Sequence, residues 1–144
     1  MGKRGYGFGW ALLALSCLMP AQASERVALG TTTFVITDVD FTDYLVDGQR
    51  DPDLMLVRGQ TYVFDLQGVE TFHPMFIKRV SGPGPGDTFD EGVTGNGASG
   101  EDDITFVVPM DAPNLLFYNC GNHAAMAGNL FIVDPPVLFA NGFE

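Results

Sequence analysis

From residue 31 onward the chain alternates between short runs rich in Val, Ile, Phe, Thr and Tyr and breaks of Gly, Pro and Asp. In Thr61-Tyr62-Val63-Phe64-Asp65-Leu66, a period of two puts Tyr62, Phe64 and Leu66 on one face and Thr61 and Asp65 on the other. That alternation predicts half-buried β-strands. Seven runs qualify: Thr31 to Thr37, Leu54 to Val57, Thr61 to Leu66, Pro74 to Val80, Ile104 to Val108, Leu115 to Asn119 and Leu130 to Val133. No segment carries a capped 3.6-residue apolar stripe. The prediction is therefore an all-β fold, an antiparallel two-sheet sandwich of about seven to eight short strands.

Two stretches depart from this pattern. Ser81-Gly82-Pro83-Gly84-Pro85-Gly86-Asp87 and the run from Gly92 to Gly100 form a long glycine-rich connection that predicts a surface loop and no regular strand. It is no phosphate cradle, because no strand-to-helix step follows it and no Lys or Arg occurs after Arg79. Asp134-Pro135-Pro136 ends the last strand, and residues 135–144 form a tail that reads as a frayed terminus or as a sorting or docking tag.

The N-terminus follows a different grammar. Lys3 and Arg4 precede an apolar run from Trp10 to Met19, and Pro20-Ala21-Gln22-Ala23 follows it. This is the layout of a secretory signal peptide covering residues 1–23, cut after Ala23. A ten-residue run is too short for a bilayer that needs about 20, so no stable membrane insertion is expected after cleavage. Cleavage before Cys17, as in a lipoprotein, is the competing reading, but Ala14-Leu15-Ser16 fits that pattern poorly. The expected product is exported, periplasmic or secreted, with a single domain spanning residues 24–134, as the 144-residue length also suggests.

Charge and composition narrow the function. Seven Lys plus Arg face eighteen Asp plus Glu, a net −11, and removal of the leader takes two cations and no acid, giving −13. Such a field repels nucleic acid and fits a basic protein partner, or simply keeps the chain soluble and monomeric. The chain holds two Cys and two His, which excludes any site built on three imidazoles. Cys17 leaves with the leader, so Cys120 becomes a lone thiol bound for an oxidising compartment. It is a buried small hydrophobe, an intermolecular disulfide partner or a metal ligand.

Its surroundings favour the third. In Tyr118-Asn119-Cys120-Gly121-Asn122-His123-Ala124-Ala125-Met126-Ala127-Gly128 a thiol, an imidazole and a thioether recur every third residue between two strands. Such a loop can turn all three toward one point. Soft sulfur and borderline nitrogen suit copper in both oxidation states, and a second imidazole completes a His₂Cys site with a weak axial Met. His73 is the one other histidine. Taken singly, each residue also reads as ordinary core or a hydrogen-bonded structural side chain.

Residues 118–128 resemble the ligand loop of cupredoxins, the small blue-copper proteins. The Cys-x-x-His-x-x-Met form is closest to the short loop of amicyanin- and plastocyanin-like members. Leu54 to Asp65, His73-Pro74-Met75-Phe76-Ile77-Lys78 and Ile104 to Pro109 look like successive strands of the same family, so the likeness covers roughly residues 54 to 133. The resemblance implies a Greek-key sandwich and one type 1 copper ion held by His73, Cys120, His123 and Met126. Pro74 stands where many members have Asn, and Asn122 where Pro is frequent, so one backbone N–H near the thiolate is lost and another gained. Glu70 and Met75 are alternative axial groups to Met126.

The function implied is single-electron transfer between redox partners, with no enzymatic step, since two histidines cannot supply a second copper centre of the nitrite-reductase or multicopper-oxidase kind. A periplasmic copper-handling protein and a metal-free cupredoxin-fold interaction module are the alternatives. Electrons are expected to pass at the edge of His123, where Gly121, Ala124, Ala125 and Ala127 let a partner approach. Glu101, Asp102, Asp103 and Asp111 are candidates to steer it.

Overall fold

The computed structural model describes residues 1, 2 and 30–136. Cys17, the leader from residue 3 onward and tail residues 137–144 lie outside them. Ten strands follow in chain order: β1 (Thr31–Val39), β2 (Asp43–Val46), β3 (Gln49–Arg50), β4 (Leu54–Val57), β5 (Thr61–Gly68), β6 (Met75–Lys78), β7 (Val93–Thr94), β8 (Asp103–Val107), β9 (Leu115–Cys120) and β10 (Ala127–Val133). They build one sheet of six, ordered β3-β2-β1-β5-β8-β7, and one of four, ordered β4-β10-β9-β6. The fold is the all-β sandwich expected from the alternation.

The pattern on β5 holds residue by residue: Tyr62, Phe64 and Leu66 are buried, and Thr61, Val63 and Asp65 face outward. Ile36, Leu56, Ile77, Ile104, Phe106, Leu116, Leu130 and Ile132 join them in one core. Each contributes roughly 1.5–3 kcal/mol relative to an exposed position.

The sheets are mixed, not antiparallel. β1 runs parallel to β5, with Phe34 opposite Phe64, and β4 runs parallel to β10, with Leu56 opposite Ile132. The physical reason is a crossover. After β1 the chain makes the β2–β3 hairpin and lays β4 in the other sheet, so β5 returns beside β1 in the same direction.

Three strands were not expected. β2 and β3 form a hairpin whose turn residues Asp47 and Gly48 both have positive φ, 49° and 82°. Asp-Gly is a strong two-residue hairpin signal, because that turn needs two residues tolerant of left-handed backbone. β7 lies inside the glycine-rich connection, against β8. Gly92 has φ 75°, and a Cβ there would sit 2.1 Å from the Val107 carbonyl oxygen, so only glycine lets the chain run this close.

Two poles result. At one, the buried Arg58 guanidinium donates to Asp134 at 2.9 Å, to the Ala112 carbonyl at 2.8 Å and to Asn114 Oδ1 at 2.6 Å. The end of β9 and the starts of β6 and β10 meet at the other pole, where Met75 pairs with Cys120 and Asn119 with Ala127.

Asp51 gives the fold a pH dependence. Its Oδ1 accepts the Tyr44 N–H at 2.9 Å, and it occupies φ 38°. Burial, reinforced by the nearby Asp43 and opposed by that hydrogen bond, pushes its carboxyl from 3.8 up to about 6. The folded state keeps this proton longer than the unfolded chain, so the Asp51 contribution weakens as pH rises from about 4 to about 6. Asp51→Asn keeps an acceptor and tolerates the backbone. We expect it to be more stable than the parent at pH 7 by about 1 kcal/mol, after solvent screening of a half-exposed carboxylate, and equal to it below about pH 4. Thermal unfolding at both pH values checks this; equal midpoints at pH 7 would contradict it.

Candidate metal centre

His73 precedes β6 in a turn closed by its own N–H, which donates to the Glu70 carbonyl at 2.9 Å. Its carbonyl accepts the Tyr44 hydroxyl at 2.8 Å. Burial, then the neighbouring Cys120 sulfur, drives the Tyr44 phenol far above its usual range, so it stays a protonated donor. His73 Nδ1 bonds Asp38 Oδ2, an oxygen that also accepts the Glu70 N–H at 3.0 Å. With its proton on Nδ1, a neutral imidazole keeps a lone pair on Nε2. The ring is 1% exposed, and Nε2 is the one buried side-chain nitrogen or oxygen among the described residues without a hydrogen-bond partner. An orphaned buried ring nitrogen is the kind of atom a ligand completes.

Cys120, the last residue of β9, is fully buried. Its Sγ lies 3.6 Å from His123 Nδ1, and the Asn122 N–H donates to it from 3.4 Å. This is the extra N–H that Asn122 supplies in place of Pro. The His123 ring sits 4.9 Å from the His73 ring, centroid to centroid. Among the described residues no three or more His, Cys, Asp or Glu side chains close into a metal cage. Two linked pairs are present instead, Cys120–His123 and Asp38–His73, with the two imidazole rings meeting edge to face at an interplanar angle of 80°.

Met126 is buried, and its carbonyl accepts the Cys120 N–H at 2.9 Å, which folds the loop back on β9. Of the alternative axial groups, Met75 is buried directly opposite Cys120, on the same face of the sheet. Glu70 is exposed. The donor set fits copper in kind: one thiol, two imidazoles and buried thioethers.

Three features escaped the sequence reading. Asp38 is one of many acids, and only its place at the end of β1 singles it out. Phe41 and Phe72 are 58% and 45% exposed and lie together over the histidines, with Phe41 5.3 Å from the His123 ring and Phe72 4.3 Å from the His73 ring. An aromatic in the acidic turn Asp40-Phe41-Thr42 was the available signal. The third is Asn119, a buried polar side chain whose Nδ2 donates to the carbonyls of Cys120, His123 and Met126 and whose Oδ1 accepts the Gly82 N–H. A polar residue between buried Tyr118 and Cys120 was its trace in the sequence.

No family model matches the chain, and no curated protein matches it. Solved structures do. Reduced rusticyanin superposes with a TM-score of 0.52, at 22% identity over 72% of this chain and 79% of that chain. A second structure, of the copper protein rusticyanin, gives 0.53, at 21% identity over 72% of this chain and 78% of that chain. The two mixed sheets and these superpositions identify the domain as a cupredoxin fold.

Proposed function

We propose that this chain is an exported mononuclear type 1 copper protein that carries single electrons between redox partners, with no catalytic step of its own. The observation that carries the reading is the buried, partnerless Nε2 of His73 beside the Cys120–His123 pair. His73, Cys120, His123 and Met126 are the residues that would hold the metal. Copper bound there would supply a one-electron couple between Cu(I) and Cu(II). The likeness to rusticyanin, a copper protein, supports the same assignment, and the leader-like residues 1–23 support export.

The chain's own part is positioning. Asp38 and Tyr44 fix His73 from two sides, and the Asn122 N–H approaches the sulfur, where a hydrogen bond stabilises thiolate charge. Phe41 and Phe72 pack their rings against the two imidazoles. His123 is half-buried, and Ala124 and Ala125 beside it are exposed and small, which lets a partner come close.

Titration of the purified protein with Cu(II) tests the proposal. An intense visible thiolate-to-copper band and reversible redox cycling are expected at one copper per chain. Tight Cu(I) binding with ready release to a chelator, and no such band, would replace the electron carrier with a copper-handling protein, a reading that the second buried thioether, Met75, favours. No uptake of either ion would leave a metal-free interaction module.

A further inference from the structure

We propose that Asn119 is the positioning residue of this centre, and that through it the glycine-proline segment 81–86 forms one unit with the ligand loop. This rests on the reading of Cys120, His123 and Met126 as ligands. Asn119 Nδ2 donates to the Cys120 carbonyl at 3.1 Å, the His123 carbonyl at 3.3 Å and the Met126 carbonyl at 3.1 Å. These carbonyls belong to the three residues of the loop that carry the donor side chains. One amide, with two hydrogens shared among three acceptors, therefore sets the spacing of all three.

The other end of the same amide faces donors. Asn119 Oδ1 accepts the Gly82 N–H at 2.6 Å and the Ser81 hydroxyl at 3.2 Å. Carbonyls on one side and donors on the other leave the amide a single satisfied orientation. Segment 81–86 is fastened at further points. The Gly84 N–H donates to the Gly121 carbonyl at 2.6 Å, and the buried Lys78 ammonium donates to the carbonyls of Gly82 and Gly84. Lys78 is 2% exposed, so those carbonyls are what satisfies its charge. This segment, which reads from sequence as a surface loop, is thus clamped between a buried cation and the ligand loop. Order at Cys120, His123 and Met126 and order at Gly82 and Gly84 should rise and fall together.

Amide hydrogen exchange, with copper uptake measured alongside, tests this. In the parent protein, copper loading is expected to slow exchange at Gly82 and Gly84 together with residues 120–126, although no atom of 82–84 is a ligand. Asn119→Asp keeps an acceptor for Gly82 and loses the donor to the loop, whereas Asn119→Leu loses both. Both variants should bind copper about 10–100-fold more weakly. In the metal-free state both should exchange faster at 120–126, and only Asn119→Leu should also exchange faster at Gly82. Copper binding by the variants at the parent's affinity, or protection by copper of 120–126 without Gly82 and Gly84, would overturn the proposal. Should the variants fail to fold, the parent's exchange pattern decides alone. A parent that takes up no copper removes the ligand reading and this inference with it, a result distinct from a parent that loads and variants that load equally well.

Discussion

Cys120→Ser is expected to abolish the intense visible band of the copper-loaded protein while the metal-free domain stays folded. The band arises from charge transfer out of a thiolate, and a serine hydroxyl is a hard donor that stays protonated at neutral pH, so the loss should be complete. The fold should tolerate the change because a hydroxyl is close to a thiol in size and shape and has polar neighbours. The Asn122 N–H, 3.4 Å from Sγ, and His123 Nδ1, 3.6 Å from it, lie nearest to that position at the end of β9. The cost is that of a small polar replacement at a buried site, about 1 kcal/mol, or a few degrees of thermal midpoint. Absorbance of copper-loaded protein and circular dichroism of the metal-free protein read the two halves separately. A blue variant would mean the sulfur ligand is not Cys120, and no other cysteine follows residue 23. A variant that fails to fold would mean the thiol is needed for packing.

The two halves of that experiment mirror what the sequence could and could not carry. Strand content was legible wherever one face is buried, because the period of two in Tyr62, Phe64 and Leu66 is a direct imprint of the core. The direction of pairing was not. Whether β1 meets β5 parallel or antiparallel depends on where β4 is laid, a choice made by the whole chain and not by Phe34 or Phe64. The β2–β3 hairpin has its one signal in Asp47-Gly48, since its strands are short and lie among acids. Cys120, His73 and His123 stood out by scarcity and chemical type. Asp38 and Asn119 did not, since Asp and Asn are common and their meaning lies in what they touch: a ring nitrogen 35 residues away, and three carbonyls gathered by one amide. Beyond the acidic turn around Phe41, nothing in the sequence sets Phe41 and Phe72 apart from the other ten Phe, and only the structure shows them exposed over the histidines.

Reduction of the copper-loaded protein by a cationic one-electron reagent is expected to slow at least tenfold between about 10 mM and 200 mM salt, and reduction by an anionic reagent to quicken. Over that range the screening length falls from about 30 Å to under 10 Å, and steering between opposite charges is worth 10–10³ in association rate. The field is acidic in detail as well as in sum, because each Lys and Arg side chain among the described residues is already engaged: Arg50 with Asp43, Arg58 with Asp134, Arg79 with Glu91 and Lys78 with backbone carbonyls. The fold also separates the four acids that the sequence offered as a group. Glu101 and Asp102 follow Ser99, whose hydroxyl donates to the Thr71 carbonyl at 3.1 Å, two residues from His73. Asp111 precedes Ala112, whose carbonyl is held by Arg58 at the far pole. Glu101→Gln or Asp102→Asn, each removing one charge, should therefore flatten the salt dependence more than Asp111→Asn, which also removes one, does. Equal effects would assign the steering to net charge alone, and rates indifferent to salt with both reagents would remove steering from the account of how a basic partner finds His123.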